Sequence, residues 1–350
     1  MITFLHYPTY QIFLTAVLAL VITAVLTPIW IKLLRREGIG QVVRIDGPQK
    51  HLTKSGTPTM GGVVILFTVA IVYLLTASVS MRGLVALMAL FGCGLVGFID
   101  DYRKVVKARS LGLKARSKIL WQLVIAILVG LVAINFANLA TTVQIPLTHL
   151  VIPLGSPAFK FSIMHKAIVV PILYITLVFI IMTATTNTVN LTDGLDGLAA
   201  GTVTISMLAY AGIAFRQNRL DLAIICAAVG GAAIGFLWFN SYPASIFMGD
   251  TGSLGLGGVI AIMAILTKTE LLLVLIGGIY VIEGLSVIGQ IVSYRWFKRR
   301  ILKMAPIHHH FEMQGWSETQ IMMRFWIISG IFAGIGFGIY FMTATSTASH

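Results

Sequence analysis

Acidic residues are scarce in this chain, since Asp and Glu together account for 12 of its 350 residues. All charged residues make up 11% of the sequence, whereas a soluble domain typically has about 25%. Hydrophobic residues make up 57%, and the mean hydropathy is +0.93. This composition excludes an ordinary soluble domain and predicts a single integral membrane domain over residues 1–350.

Cysteine is almost absent, since Cys93 and Cys226 are the only two and both lie within apolar runs. Their number and position imply no disulfide framework. A basic segment before the first apolar run is also missing, and that run is too long for the core of a signal peptide. We therefore predict that the first apolar run is a true membrane span.

Long apolar runs dominate the rest of the sequence. A membrane-spanning helix needs roughly 20 mostly apolar residues, and ten runs of about this kind occur. The chain is therefore predicted to be an all-α polytopic membrane protein with about ten transmembrane helices and both termini on the same side. The predicted spans cover about residues 12–34, 59–78, 83–100, 119–137, 167–186, 199–215, 222–239, 251–267, 271–293 and 324–342.

The Lys and Arg residues are concentrated in three of the predicted loops. Segments 32–54, 103–118 and 295–324 hold six, seven and six of the 25 basic residues, and the alternate loops hold the other six. Because cytoplasmic loops carry an excess of Lys and Arg, this bias places the three segments in the cytoplasm and both termini outside. Such loops also suit phosphate-bearing partners at the bilayer surface, and no nucleic-acid partner is expected.

Five of the 12 acids lie at predicted helix ends on the cytoplasmic face, namely Asp100, Asp101, Asp193, Asp196 and Asp250. Charge near the bilayer is costly, so ionisable residues in such positions are functional candidates. For Asp250 alone, capping of the eighth span is an alternative of equal weight. Capping does not account for all five aspartates, so we predict a functional site on this face.

The segment NTVNLTDGLDGLA, residues 187–199, combines two amides with two of these carboxylates. Asn190, Asp193 and Asp196 are three residues apart, which predicts that they share one side of an α-helix. Carboxylates and amides that face one cavity can hold Mg²⁺ through oxygen ligands or bind a nucleobase or sugar by hydrogen bonds. With lysines nearby, the pattern indicates phosphoryl chemistry on a diphosphate.

Three consecutive histidines, His308, His309 and His310, lie in the last predicted cytoplasmic loop. A transition-metal site is one interpretation, but adjacent histidines rarely all reach one ion on regular structure. A contact with substrate phosphate or a role in shaping the loop is the favoured interpretation.

The ninth predicted span carries an acid, Glu283, and several glycines. Glycines permit a kink or a break, and a broken helix that leaves the bundle would open a lipid-facing groove. For Glu283 we favour a role as a buried hydrogen-bonding residue at the kink over a catalytic role.

An ion-coupled transporter is an alternative for a chain with about ten spans. Transporters place their binding site near the bilayer midplane, often between repeated halves of the chain. Here the aspartates lie at the cytoplasmic edge and the sequence shows no internal repeat, so an enzyme is favoured.

Five segments of the sequence carry a specific resemblance: KSGTPTMGG, GFIDDYRKV, NLTDGLDGLA, FMGDTGSL and PIHHHFE. In this order they resemble the motifs of the polyprenyl-phosphate N-acetylhexosamine-1-phosphate transferases, from about residue 30 to the last span. The triple histidine and the TPTMGG segment favour the muramoyl branch of that family. The N-acetylglucosamine-1-phosphate branch is the alternative.

The resemblance implies a function in the bacterial inner membrane. The implied substrates are UDP-N-acetylmuramoyl-pentapeptide in the cytoplasm and undecaprenyl phosphate in the lipid bilayer. The implied products are lipid I and UMP, and Mg²⁺ is the implied cofactor. The resemblance further implies a homodimer, a cytoplasmic active site and a groove beside a broken ninth helix.

The resemblance also implies roles for individual residues. Asp250 is the implied Mg²⁺ ligand, and His308 is a further implied catalytic residue. One of Asp100 and Asp101 is implied to deprotonate or position the lipid phosphate, and the residues alone do not decide which, because adjacent carboxyls titrate together. The implied nucleotide contacts are Lys54, Asn190, Asp193, Asp196, Asn240 and Phe247, the last by stacking. Lys104, Lys118 and His308 are implied to neutralise phosphate charge, and Asn187, His309 and His310 are further implied substrate-binding residues.

Overall fold

The computed structural model describes residues 7–40, 56–106, 112–148, 150–163 and 166–348. These residues form helices and four short strands, joined mostly by short loops. In chain order the elements are α1 (Pro8–Arg36), α2 (Gly62–Thr76), α3 (Met81–Val106), α4 (Ala115–Phe136), β1 (Thr142–Gln144), β2 (Val151–Pro153), β3 (Ala158–Ile163), β4 (Lys166–Pro171), α5 (Ile172–Thr192), α6 (Leu198–Arg216), α7 (Leu220–Asn240), α8 (Gly249–Leu266), α9 (Leu273–Ile276), α10 (Gly278–Phe297), α11 (Ile307–Glu312) and α12 (Glu318–Ala348).

Eight of the described helices are long and apolar enough to cross a membrane, namely α1, α3, α4, α5, α6, α7, α8 and α12. Helix α2 is equally apolar but has only 15 residues. The chain is thus a mostly helical polytopic membrane protein. That it crosses the membrane ten times, with both termini outside, stays a prediction.

The structure contains two antiparallel β-hairpins, which the all-α prediction did not include. Strand β1 pairs with β2, and β3 pairs with β4. The fifth predicted span began at residue 167, but residues 167–171 belong to β4 and the helix begins at Ile172. The β-branched run from Ile168 to Val170 favours a strand, and the residue before Pro171 is disfavoured in helical conformation.

The ninth predicted span comprises two helical segments, α9 and α10, which meet at Gly277. Glu283 lies in α10 and is fully buried. That this element crosses the membrane as a broken helix beside a lipid groove stays a prediction.

Helix α8 lies in the core of the bundle, since every residue from Thr251 to Leu266 is buried. Small residues along α8 allow the neighbouring helices to approach it closely. A Cβ atom added at Gly97 of α3 would overlap the carbonyl oxygen of Asp250, so glycine is required at this contact. The contact places the last turns of α3 against the start of α8, where the predicted site residues lie.

Candidate active site

Three carboxylates converge where α3 ends and α8 begins. Asp100 and Asp101 lie in the C-terminal part of α3, and Asp250 lies in the first turn of α8. One oxygen atom from each carboxylate lies within 4.8 Å of those of the other two. The sequence prediction that these three residues belong to one site is therefore matched by their positions.

Asp101 caps the N-terminus of α8 from another helix. Its Oδ1 atom accepts a hydrogen bond from the Asp250 backbone N–H at 3.1 Å, and its Oδ2 atom accepts from the Thr251 N–H at 2.9 Å and the Thr251 hydroxyl at 2.8 Å. Capping of α8 was the alternative role predicted for Asp250, and this cap is supplied by Asp101. The side chain of Asp250 remains available to other groups.

Two lysines lie among the carboxylates. The Lys104 Nζ atom lies 2.7 Å from Asp100 Oδ2 and 3.2 Å from Asp250 Oδ2. The Lys118 Nζ atom, at the start of α4, lies 3.1 Å from Asp100 Oδ1 and 2.6 Å from Asp250 Oδ2. Both lysines predicted to contact phosphate therefore belong to the carboxylate cluster. We name Asp100, Asp101, Asp250, Lys104 and Lys118 the DDK cluster.

The donor set of the DDK cluster fits a divalent cation. Mg²⁺ prefers carboxylate oxygens and is usually shared between one or two carboxylates and substrate phosphates. Three carboxylates against two ammonium groups leave one negative charge for an added cation. The Asp250 side chain is 13% exposed, whereas that of Asp100 is 1% exposed. Asp250 is therefore the more accessible of the two as a ligand.

The predicted helical face of Asn190, Asp193 and Asp196 is wrong, because α5 ends at Thr192 and Asp193 is its C-terminal cap residue. A tight turn follows, and Gly197 adopts a φ of 75° at the start of α6, a conformation that glycine adopts without steric cost. Glycine residues in DGLDG thus favour a turn over a continued helix.

Asp193 and Asp196 have different surroundings in this turn. Burial raises the pKa of the Asp193 carboxyl well above its ordinary value, and the negative charges of Asp250 and Asp101 raise it further. Asp193 therefore shares the electrostatic environment of the DDK cluster. Asp196 is buried, and its Oδ2 atom accepts a hydrogen bond from the Ala244 N–H at 3.0 Å.

The two asparagines of α5, Asn187 and Asn190, also contact different residues. Asn190 Nδ2 donates to Asp250 Oδ1 at 2.9 Å and to Ser253 Oγ at 2.8 Å, so it orients the DDK cluster. Asn187, one turn earlier, donates to Gln122 Oε1 of α4 at 3.1 Å. Gln122 and Ser253 were not predicted from the sequence, because neither residue type stands out in an apolar helix.

The residues predicted to contact uridine lie around the loop before α8. Asn240 is buried, where its Oδ1 atom accepts from the Gly197 N–H at 3.2 Å and its Nδ2 donates to the Ile246 carbonyl at 3.0 Å. Phe247 is half-buried, and its N–H donates to the Pro58 carbonyl at 2.8 Å. Lys54 lies outside the described residues. The uridine contacts stay predictions.

The three histidines of α11 bind three different partners. His308 is fully buried, and its Nδ1 atom lies 3.0 Å from Glu283 Oε1. His309 Nδ1 lies 3.0 Å from Glu312 Oε2, and His310 Nδ1 accepts from the Lys303 N–H at 3.1 Å. This divergence supports the prediction that the histidines do not bind one metal ion together.

His308 also faces the turn that follows α5. Its Nε2 atom is buried with no hydrogen-bond partner among the described residues, and a Cβ atom at Gly194 would overlap it. The pairing of Glu283 with His308 was not foreseen, since no spacing rule connects residues 25 positions apart.

Comparison with known proteins gives matches over nearly the whole chain. The glycosyl transferase family 4 model matches residues 83–268, and the phospho-N-acetylmuramoyl-pentapeptide-transferase signature 1 matches residues 54–66. The phospho-N-acetylmuramoyl-pentapeptide-transferase of Frankia casuarinae is 45% identical over 353 residues, which cover 94% of this chain and 97% of that protein. The enzyme of the same name from Halalkalibacterium halodurans is 47% identical over 324 residues, with coverages of 91% and 94%. That from Geobacillus sp. is 45% identical over 327 residues, with coverages of 92% and 96%.

Proposed function

This chain belongs to the phospho-N-acetylmuramoyl-pentapeptide-transferase family, and from this premise we propose its reaction and the roles of its residues. The membership confirms the resemblance carried by the five motifs and its muramoyl branch. The protein transfers phospho-N-acetylmuramoyl-pentapeptide from the UDP-linked precursor to undecaprenyl phosphate. Lipid I is formed, UMP is released, and the product enters peptidoglycan synthesis.

The DDK cluster is the observation that carries this proposal. Two anionic substrates must approach each other, so positive charge must offset their repulsion before a bond forms. Lys104 and Lys118 provide two ammonium groups, and the carboxylates hold them in place. The cluster lies at the ends of apolar helices, where a phosphate on a lipid and a water-soluble nucleotide can meet.

Asp250, together with the neighbouring carboxylates of the cluster, would hold Mg²⁺. When bound, Mg²⁺ neutralises charge on the diphosphate and polarises its phosphorus–oxygen bonds. Lys104 and Lys118 exchange their carboxylate partners for phosphate oxygens when the substrates bind. Asn190 keeps the Asp250 carboxylate oriented during this exchange through its hydrogen bond to Oδ1.

The two adjacent aspartates have separate roles in our proposal. Asp101 fixes the start of α8, since both of its oxygens accept hydrogen bonds from that helix. Asp100 contacts both lysines and is the member of the pair that positions the lipid phosphate. Proton removal contributes little to the rate, because a phosphate monoester is largely ionised near neutral pH. The lipid phosphate therefore attacks the β-phosphate of the UDP-sugar directly.

The nucleotide lies on the side of the DDK cluster formed by Asp193, Asp196 and Phe247 in this proposal. His308 contacts substrate phosphate through Nε2, the ring nitrogen that has no partner among the described residues. Glu283 contacts Nδ1 and fixes the orientation of the ring. This pairing gives Glu283 a positioning role.

The choice of donor sugar tests the proposed function. Purified protein in detergent is incubated with undecaprenyl phosphate, Mg²⁺ and either UDP-N-acetylmuramoyl-pentapeptide or UDP-N-acetylglucosamine. We expect lipid I and UMP in equal amounts with the first donor and no lipid product with the second. A lipid product with UDP-N-acetylglucosamine alone would assign the chain to the other branch.

The positioning role of Glu283 predicts a loss of rate in Glu283→Gln. We expect kcat to fall about tenfold or more, because a hydrogen bond to a charged group contributes about 1.5–3 kcal/mol. The matched control is Glu312→Gln, since Glu312 contacts His309 Nδ1 at the same 3.0 Å on the same short helix. A changed pH profile of kcat in Glu283→Gln alone supports the role. Equal losses in both variants, or a loss of thermal stability with kcat unchanged, would contradict it.

We further propose ten spans, a cytoplasmic active site in the bacterial inner membrane, both termini outside and a homodimer. The uneven distribution of Lys and Arg supports the orientation. We expect cysteines introduced as Ser110→Cys and Gln314→Cys to react with an impermeant maleimide only from the cytoplasm, and Ala158→Cys only from outside. Native Cys93 and Cys226 are buried and give little background. Labelling of position 110 from outside would overturn the orientation.

A further inference from the structure

A polar cavity lies at the other end of the bundle from the DDK cluster. Its volume is about 300 Å³, and its lining includes Gln144 of β1, Gln217, Arg219, Lys268 and Tyr340 of α12. Lys268 follows the C-terminus of α8, whose N-terminus carries Asp250. An α-helix of 18 residues is roughly 27 Å long, so the cavity lies near the opposite face of the membrane.

Arg219 is the cation of this cavity that has no salt-bridge partner among the described residues. It is half-buried, forms no salt bridge with any residue in the described part of the chain, and donates one hydrogen bond, from Nη1 to the Leu266 carbonyl. Burial, and then the positive charge of Arg82, lower the pKa of Arg219, and the negative charge of Asp221 opposes this shift. A guanidinium stays charged in proteins and has five N–H donors. Within the described residues, Arg219 therefore keeps unused N–H donors, and Asp221 acts on its charge without forming a salt bridge.

Lys268, by contrast, is fully paired and forms a fixed wall of the cavity. Its Nζ atom lies 2.7 Å from Glu270 Oε1, 2.8 Å from the Tyr174 hydroxyl and 3.1 Å from the Ala140 carbonyl oxygen. These contacts join α5, the end of α8 and the segment before β1. This wall of the cavity is thus fixed by hydrogen bonds, and a preformed site costs little conformational entropy on binding.

Helix capping explains only part of this arrangement. Gln217 Nε2 donates to the Thr267 carbonyl at 2.8 Å, and Arg219 donates to that of Leu266, so both satisfy acceptors at the end of α8. Capping uses one of the five donors of Arg219. It requires neither a cavity beside the guanidinium nor the polar side chains of Gln144 and Tyr340 in its lining.

We propose that this cavity binds a phosphate group through the Arg219 guanidinium, with Gln144 and Tyr340 as neighbouring hydrogen-bonding groups. The planar guanidinium matches the oxygens of a phosphate and can bind two of them at once. A volume of about 300 Å³ is at the lower end of the range of ligand sites. The phosphate belongs either to inorganic phosphate or to the headgroup of an anionic lipid. This site is separate from the transferase site and does not depend on it.

Two probes distinguish the sources of the phosphate group. Inorganic phosphate is titrated into the detergent-purified protein by calorimetry at constant ionic strength, with chloride as the reference anion. Retention of phosphatidylglycerol is measured by native mass spectrometry after reconstitution in nanodiscs of phosphatidylcholine with or without that lipid. We expect saturable binding of at least one probe by the wild-type protein.

Three variants identify the site. Arg219→Gln should weaken binding about tenfold or more, because it removes a charge-assisted contact. Gln144→Glu should also weaken binding about tenfold or more, because it adds a negative charge to the cavity wall while Arg219 is kept. If Arg219→Gln does not fold, Gln144→Glu tests the site in its place. The control is Arg216→Gln, since Arg216 is exposed, lies over the Phe341 ring at 5.9 Å and is not among the residues that line the cavity.

Each outcome decides the proposal. Calorimetric binding lost in Arg219→Gln and Gln144→Glu assigns the site to inorganic phosphate, and lipid retention lost in the same variants assigns it to a headgroup. Absence of both kinds of binding in the wild-type protein would overturn the proposal. So would an equal loss in Arg216→Gln.

Discussion

Asp250→Asn is expected to lower the transfer rate about a thousandfold or more, because a bound metal ion contributes several kcal/mol and each 1.4 kcal/mol changes a rate tenfold. Asp250 Oδ2 contacts both Lys104 and Lys118, and Oδ1 accepts from Asn190, so this carboxylate is shared by most of the cluster. Asparagine keeps the shape of the side chain but removes its charge. Initial rates at saturating Mg²⁺ measure the effect.

The fold should survive this substitution. Asp101 caps α8, and Asp100 still pairs with both lysines of the DDK cluster in this variant, so the melting temperature should change little. The matched control is Asp221→Asn, in the first turn of α7 at the other end of the bundle, which should leave the rate unchanged. Near-native turnover of Asp250→Asn would place the active site elsewhere.

Delipidated enzyme is expected not to exchange labelled UMP into the UDP-sugar until undecaprenyl phosphate is added. Direct attack by the lipid phosphate requires the acceptor, whereas a covalent phospho-sugar enzyme would form and reverse without it. Asp101 is poorly suited as a nucleophile, since its two oxygens together accept three hydrogen bonds from the start of α8. Isotope exchange, measured with and without the lipid, separates the two routes.

Robust exchange without lipid that disappears in Asp101→Asn would make Asp101 the nucleophile. A second variant is needed, because Asp101→Asn also weakens the cap of α8. Thr251→Val removes only the hydroxyl that donates to Asp101 Oδ2 and keeps the carboxylate. Exchange that persisted in Thr251→Val but not in Asp101→Asn would establish a chemical role, and direct attack would then be wrong.

The apolar runs of the sequence predicted the positions of the long helices well, because a bilayer-spanning helix buries its backbone hydrogen bonds within one segment. They did not predict β4, since residues 167–171 are as apolar as the helix that follows. The residues at which helices end were still harder to predict from the sequence. The prediction extended one helical face through Asp193 and Asp196, where glycines and the left-handed Gly197 form a turn.

The site residues were predicted by type and motif, but their partners were not. Asp100, Asp101 and Asp250 were identified because carboxylates are rare in an apolar chain, and the structure brings them together. That Asp101 caps α8 depends on how two helices 150 residues apart pack at Gly97. The Glu283–His308 pair likewise depends on the path of α10 and α11. Such contacts are set by tertiary packing, which local sequence patterns do not encode.

Pulsed EPR spectroscopy of the Mn²⁺-loaded protein tests most directly whether Asp250 and the diphosphate bind the same metal ion. Mn²⁺ suits the carboxylate and water ligands that also bind Mg²⁺. With UDP-N-acetylmuramoyl-pentapeptide bound, we predict a ³¹P hyperfine coupling in the wild-type protein and in Asp221→Asn, and its loss in Asp250→Asn. An unchanged ³¹P coupling and unchanged Mn²⁺ affinity in Asp250→Asn would contradict the assignment of the metal site to the DDK cluster.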